Sequence, residues 1–177
     1  DRSVCILFGD GAGAVVLEGR DGPGGLLEVQ IGSDGGNSEL IVLPRGGSRR
    51  PASQSVVDRG EQFLRMNGNR VFKFAVQSME QVARETLKRV GWSLDDVTWL
   101  IAHQANRRIL DAVSERLPFP AERMLINVEH TGNTSAASIP ILLDESVRAG
   151  QIRPGDKVLL VAFGAGLTWG ACALEWV

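Results

Sequence analysis

The sequence predicts an α/β fold in which a mostly parallel mixed sheet carries helices on both faces. Three observations support that expectation. From residue 71 onward, apolar residues alternate between helical spacing and short unbroken β-rich runs, in the order helix, strand, helix, strand, helix, strand, strand. That order returns successive strands to one sheet through helical crossovers and finishes on an antiparallel pair. The 177 residues are 44% hydrophobic and 23% charged, a composition that suits a globular chain with one sizeable core.

Residues 4–8 and 14–18 are β-rich runs separated by Gly9-Asp10-Gly11-Ala12-Gly13, and 26–31 is a third, following Asp21-Gly22-Pro23-Gly24-Gly25. This spacing predicts a β-meander. Residues 33–60 are rich in Gly, Ser, Arg and Pro and have little periodicity, which predicts a long surface loop. Val71, Phe74, Ala75, Ser78, Met79, Val82, Ala83 and Leu87 then recur at helical spacing up to Gly91, the pattern of a long amphipathic helix. A strand is expected over 97–102, a second helix through Ile109, Leu110, Val113 and Leu117, and a strand over 124–128. A third helix over 136–149 stops at Gly150, and 157–163 and 171–177 are the closing strands.

A formal net charge of −2 gives no basis for a nucleic-acid partner. No apolar run approaches the ~20 residues of a membrane-spanning helix, and no basic-then-apolar leader opens the chain, so a cytoplasmic protein is expected. Cys5 and Cys172 are the only cysteines, and their spacing fits neither a disulfide framework nor a metal site; both read as buried thiols, and no metal is expected. The chain opens at Asp1 and enters a β-rich run almost at once, which reads as a cut edge.

Gly9-Asp10-Gly11-Ala12-Gly13 superficially suggests a dinucleotide fingerprint. That motif needs a helix after the glycines, whereas a β-rich run follows here, so a tight turn is expected. His103-Gln104-Ala105-Asn106 stands where a strand ends and a helix begins, the place where α/β proteins collect ligand-binding groups. His130-Thr131-Gly132-Asn133-Thr134-Ser135 occupies the equivalent junction one unit later, so His103 and Asn133 are expected to face one pocket. Phe163-Gly164-Ala165-Gly166 forms a third junction able to offer backbone N–H groups. Asn133 also suits a helix N-cap, a job that Thr134 or Ser135 can take instead, and His130 suits an exposed strand end.

These residues resemble β-ketoacyl-acyl-carrier-protein synthase III. The resemblance runs through Asp1-Arg2, 8–14, Met66-Asn67-Gly68-Asn69-Arg70-Val71-Phe72-Lys73, His103-Gln104-Ala105-Asn106, 132–140 and 162–170, almost the whole chain. It implies a thiolase-like fold of two similar halves. Residues 1–32 would be the closing strands of the first half, and 33–177 the second half, loop-rich over 33–60. It implies a coenzyme A-dependent acyltransferase, homodimeric when complete, that joins an acyl-CoA primer to malonyl-acyl-carrier protein with loss of carbon dioxide, initiating fatty-acid synthesis. No cofactor is implied beyond the coenzyme A thioesters used as substrates.

By resemblance His103 and Asn133 are catalytic donors, and the backbone N–H of Ala165 belongs to an oxyanion hole. Arg2 goes to the adenine end of coenzyme A, Gly68, Asn69, Phe72 and Asn106 to the pantetheine channel, and Phe163 to the active-site entrance. Lys73, Arg107 and Arg108 would meet the acidic carrier protein; a solvated helix surface is the other reading of Arg107. The family's nucleophilic cysteine sits in the first half, and neither Cys5 nor Cys172 has its context, so the isolated chain is expected to be inactive. A chalcone synthase-like or long-chain condensing enzyme shares the Cys, His and Asn set, although Thr168-Trp169-Gly170 and Ser135-Ala136-Ala137-Ser138 look more like synthase III. A scaffold that lost its nucleophile is the non-catalytic alternative; it would need neither His103 nor Asn133. Ile139, Ile141, Leu142, Leu143 and Val147 make the third helix apolar around much of its circumference, so the isolated chain is expected to aggregate, to self-associate through that helix, or to require the missing half.

Overall fold

In the computed structural model, residues 2–177 are described, and the side chains of Arg2 and Ser3 lie outside the described residues. The described residues begin with a short helix α1 (Arg2–Cys5), followed by a stretch without regular secondary structure and strand β1 (Gly25–Ser33). A 3-10 segment (Gly35–Leu40), β2 (Ile41–Val42) and α2 (Gln54–Asp58) occupy the expected loop, and β3 (Arg65–Met66), just beyond it, pairs antiparallel with β2. The remaining elements are α3 (Gly68–Val90), β4 (Trp99–Ala102), α4 (Arg107–Arg116), α5 (Val128–Thr131), α6 (Ser138–Arg148), β5 (Lys157–Gly164) and β6 (Thr168–Glu175).

The main sheet has the order β1-β6-β5-β4, parallel between β4 and β5 and antiparallel at the other two ladders. Strand alternation divides the core. Leu100, Ala102, Leu159, Val161 and Phe163 face α3 and α4, where they pack with Met79, Val82, Ala83, Leu110 and Val113. Ile101 and Val158 point the other way and meet Leu142 of α6, with Ile139, Leu143 and Val147 packed alongside. Helix α3 has strong local stops. Asn67 Oδ1 accepts from Arg70 N at 3.2 Å, and Gly91 closes the helix at φ +71, which glycine adopts without steric cost.

Residues 124–128 do not form the expected strand. Met124 makes an isolated parallel bridge to Leu100, and Leu125 N donates to Leu100 O at 3.0 Å. The backbone N–H groups of Asn127 and Val128 donate instead to Gln104 Oε1 at 3.1 and 3.2 Å. A buried side chain thus takes the hydrogen bonds a sheet ladder would have used, and the chain turns into α5.

The expected meander at the start is also absent. Residues 4–8 lie in α1 and the turn after it, except that Phe8 bridges Asn133. Residues 14–18 form no strand, and Val15, Val16 and Leu17 are 65%, 88% and 78% exposed. β-Propensity is realised only against a neighbouring strand. The glycine run makes no turn; its glycines permit close approach. A Cβ on Gly9 would collide with Thr131 O, and Cβ atoms on Gly11 and Gly13 would press on Ile141 and Pro140. The segment therefore runs along α6 and covers part of the helix that the sequence left open. Cys5 is exposed rather than buried, and Cys172 is half-buried on β6, where burial raises its thiol pKa to about 11.

Candidate active site

A cleft of about 1420 Å³ opens where the ends of β4 and β5 meet the loop before α6. His103, Asn133, Phe163 and Ala165 line it together, so the three strand-to-helix junctions singled out in the sequence share one space. Gly68, Asn69, Phe72, Lys73, Asn106 and Arg108 line the same cleft. Neither Cys5 nor Cys172 does.

His103 follows the last residue of β4, and its backbone N–H donates to Val161 O at 2.8 Å, fixing it to β5. Its Nδ1 lies 2.7 Å from the Ser138 hydroxyl at the start of α6. Nε2 is the ring nitrogen left for the cleft. Burial lowers the His103 pKa to about 4, so the ring is neutral at physiological pH.

Asn133 is anchored by its backbone on both sides: its N–H donates to Leu7 O at 2.9 Å, and its carbonyl accepts from Gly9 N at 3.0 Å. Its side-chain Oδ1 accepts from Ser135 N at 2.9 Å, which leaves Nδ2 as the open group. Neither Thr134 nor Ala137 makes a side-chain cap bond at the helical segments that follow them, so Asn133 itself closes the turn, with its oxygen alone. Both polar side chains thus have an atom tied to the protein behind and a nitrogen available in front.

The remaining assigned residues divide into those that reach the cleft and those that do not. Asn106 caps α4 by accepting from Ile109 N at 3.0 Å, and still lines the cleft with its neighbour Arg108, whose guanidinium stands 5.9 Å from the centre of the Phe72 ring. Arg107 is absent from the lining. It pairs with Asp111 at 2.8 Å and Glu129 at 2.7 Å on the solvent side, which matches the solvated-surface reading of that residue. The assignment of Arg2 to the adenine end falls on a side chain outside the described residues. His130 is exposed, with Glu145 3.9 Å away. Ser138 and Gln104 were not singled out as site residues, although both stand in quoted motifs. The available signal was a polar side chain inside an apolar or small-residue run; both prove fully or almost fully buried.

The His103 ring gives acid stability a definite sign. Its pKa rises from about 4 in the fold toward 6.5 on unfolding, so between those values the unfolded chain binds more protons. The contribution is complete above pH 6.5, declines as pH falls, and is exhausted near 4, for a total of up to ~3 kcal/mol. Urea midpoints measured across this range should fall on acidification, and His103→Asn should flatten the slope; an unchanged slope would show that His103 is not held neutral.

An α/β sheet whose strand ends gather a neutral histidine, an asparagine amide and a glycine-rich turn in one cleft has the equipment of an acyl-transfer site. The comparisons specify the family. Residues 87–176 match the family described as 3-oxoacyl-[acyl-carrier-protein (ACP)] synthase III C terminal, and residues 1–35 match 3-oxoacyl-[acyl-carrier-protein (ACP)] synthase III. The chain belongs to the synthase III family and has its thiolase-like α/β fold.

Among its relatives, the beta-ketoacyl-[acyl-carrier-protein] synthase III of Roseiflexus sp. (strain RS-1) is 46% identical over 176 residues, 99% of this chain and 54% of the relative. Synthase III 3 of Streptomyces coelicolor is 49% identical over 178 residues, 99% of this chain and 53% of the relative. The crystal structure of the Pseudomonas aeruginosa PAO1 synthase III superposes with a TM-score of 0.88 at 44% identity, covering 99% of this chain and 52% of that one. The Aquifex aeolicus VF5 enzyme gives 0.87 at 41%, with coverages of 99% and 52%. The chain spans about half the length of the curated relatives it matches.

Proposed function

We propose that this chain supplies the decarboxylation and carbanion-stabilising part of a condensing site. A short acyl-CoA acylates a cysteine carried outside this chain, malonyl-acyl-carrier protein loses carbon dioxide, and the resulting carbanion attacks the acyl-enzyme. The product is a β-ketoacyl thioester, the starting point of fatty-acid synthesis. The observation that carries this reading is the pair of open nitrogens, His103 Nε2 and Asn133 Nδ2, in one cleft, each with its partner atom tied behind.

Decarboxylation moves negative charge onto the malonyl thioester oxygen, and two fixed N–H donors aimed at that oxygen stabilise the charge as it develops. A histidine held neutral donates without giving up a proton, and asparagine cannot titrate, so the donor pair works across the physiological range. The thioester carbonyl is itself the electron sink, and the reading calls for no resident cofactor or metal. Ala165 N–H would face the oxyanion of the acyl-transfer intermediate. Gly68, Asn69, Phe72 and Asn106 would border the pantetheine arm, with Phe163 at the active-site entrance. A cytoplasmic homodimer belongs to the same reading. Among the described residues, no helix is long and apolar enough to cross a membrane.

Assaying the two half-reactions separately tests the proposal, because the donors serve decarboxylation and not cysteine acylation. The partner assignment has its own test. Lys73 and Arg108 are exposed cations on the cleft lining, whereas Arg107 is occupied by Asp111 and Glu129. Reversing the charge of Lys73 and Arg108 should raise the KM for malonyl-acyl-carrier protein by roughly tenfold and weaken its salt dependence, while turnover of malonyl-coenzyme A changes little. Equal losses with both substrates would place these side chains in an internal role instead.

A further inference from the structure

Behind the two donors lies a buried polar pair, Gln104 and Ser138, that links the segments carrying them. Ser138 is 2% exposed and Gln104 is fully buried. Gln104 Nε2 donates to Ala102 O at 2.8 Å, while its Oε1 receives the N–H groups of Asn127 and Val128, so this side chain ties the end of β4 to the segment leading to Asn133. Ser138 stands between the two loops. Its hydroxyl oxygen is 3.3 Å from Gln104 N and 2.7 Å from His103 Nδ1.

A hydroxyl has one proton and can accept two hydrogen bonds. A backbone N–H only donates, so the bond from Gln104 N uses an acceptor position on Ser138 Oγ. Were Nδ1 also to donate, the serine would accept twice, and its own proton would be buried without either of these neighbours to receive it, a costly arrangement at 2% exposure. The satisfied arrangement has the hydroxyl donating to Nδ1, which then carries no proton. In a neutral ring the proton must sit on the other nitrogen.

We propose that Ser138 is a positioning residue that selects the Nε2–H tautomer of His103: its hydroxyl, oriented by the Gln104 N–H, donates to Nδ1 and keeps the ring proton on the nitrogen left for the cleft. The inference deepens the proposed function and rests on it for its catalytic consequence, whereas the tautomer itself is a property of this chain. A neutral ring, which burial favours at His103, is the condition under which tautomer choice matters. In the Nδ1–H form the ring would present a lone pair to the developing oxyanion, repelling what it has to stabilise. Gln104 contributes by holding the loop that supplies the orienting N–H.

The sequence makes the test direct, because the chain has only two histidines, His103 and His130. Nitrogen-15 NMR of the imidazoles at neutral pH, assigned with His130→Gln, should show His103 Nδ1 as the unprotonated ring nitrogen and Nε2 as the protonated one. Ser138→Ala should populate the other tautomer, and Ser138→Thr, which keeps the hydroxyl, should restore the wild-type pattern. In a synthase that joins this chain to its cysteine-bearing half, Ser138→Ala should lower the decarboxylation kcat by roughly tenfold, as expected for one buried hydrogen bond, with little change in KM or in cysteine acylation.

A proton on Nδ1 in the wild-type chain would overturn the inference, as would an unchanged tautomer and rate in Ser138→Ala where His103→Ala abolishes decarboxylation. If Ser138 controls the tautomer while neither His103→Ala nor Ser138→Ala affects decarboxylation, the positioning role stands and the proposed function falls.

Discussion

Replacing His103 with alanine, in an enzyme that joins this chain to a cysteine-bearing half, is expected to slow malonyl decarboxylation by ~10²–10³, the usual cost of removing one fixed donor to a developing oxyanion. Asn133→Ala should cost a similar factor, because in the proposed site its Nδ2 would face the same charge, its Oδ1 being committed to Ser135 N. The double variant should lose less than the product of the two factors, since a site with one donor missing no longer holds the oxygen where the other can reach it. Cysteine acylation by acyl-CoA should be far less affected. Measured separately, the half-reactions distinguish a lost donor from a collapsed cleft: equal losses in both would mean that the substitution disturbs the fold. The anchoring of Asn133 between Leu7 O and Gly9 N favours a local effect, because those bonds come from its backbone and survive truncation of the side chain.

At micromolar concentration the 177-residue chain should sediment as an associated species. The apolar circumference of the third helix predicts the adhesive face there. The structure moves it elsewhere: in α6, Ser138, Leu142 and Ser146 are buried, and Gly11 and Gly13 pass against Ile141 and Pro140. Among the described residues, most of the exposed large apolar side chains lie instead between Ile6 and Ile31. Val16 is 88% exposed, and Ile31 on the edge strand β1 is 85% exposed. Burying ~300 Å² of such surface is worth roughly 7 kcal/mol at about 25 cal/mol per Å² before the cost of association is subtracted, a gain that favours contact between chains. An edge strand with apolar side chains also offers unpaired backbone groups to a second chain. Sedimentation velocity of Val16→Lys combined with Ile31→Lys should show a shift to the monomer. A wild-type monomer that unfolds cooperatively at the same concentration would contradict this expectation.

The elements that could be read in the sequence are those whose signals are local. Helix α3 has an apolar stripe, an Asn67 cap and a Gly91 stop within its own span, and it forms within three residues of the expected limits at each end. Strand β5 carries an unbroken apolar run over residues 158–163, buried on one face and mostly half-buried on the other, with the same simple signature. His103 and Asn133 stood out because each sits at a change of periodicity, and the two junctions do line one cleft. Their chemical roles came from family resemblance, since periodicity cannot tell a donor from a cap.

Tertiary structure decided what depends on distant partners. Residues 14–18 have strand composition but no adjacent strand to pair with, and residues 124–128 lose their ladder because Gln104, twenty residues upstream or more, takes two of their N–H groups. Arg107 and Arg108 are neighbours in a basic pair, and only the fold separates them, turning one to Asp111 and Glu129 and the other to the cleft. Ser138 looked like one small residue in a small-residue run until the fold brought its hydroxyl within 2.7 Å of His103 Nδ1. The sequence by itself determined which segments bury apolar surface and where polar groups interrupt them, because periodicity and caps act over a few residues. Which nitrogen carries a proton and which strand finds a neighbour are settled only by contacts between residues far apart in the chain.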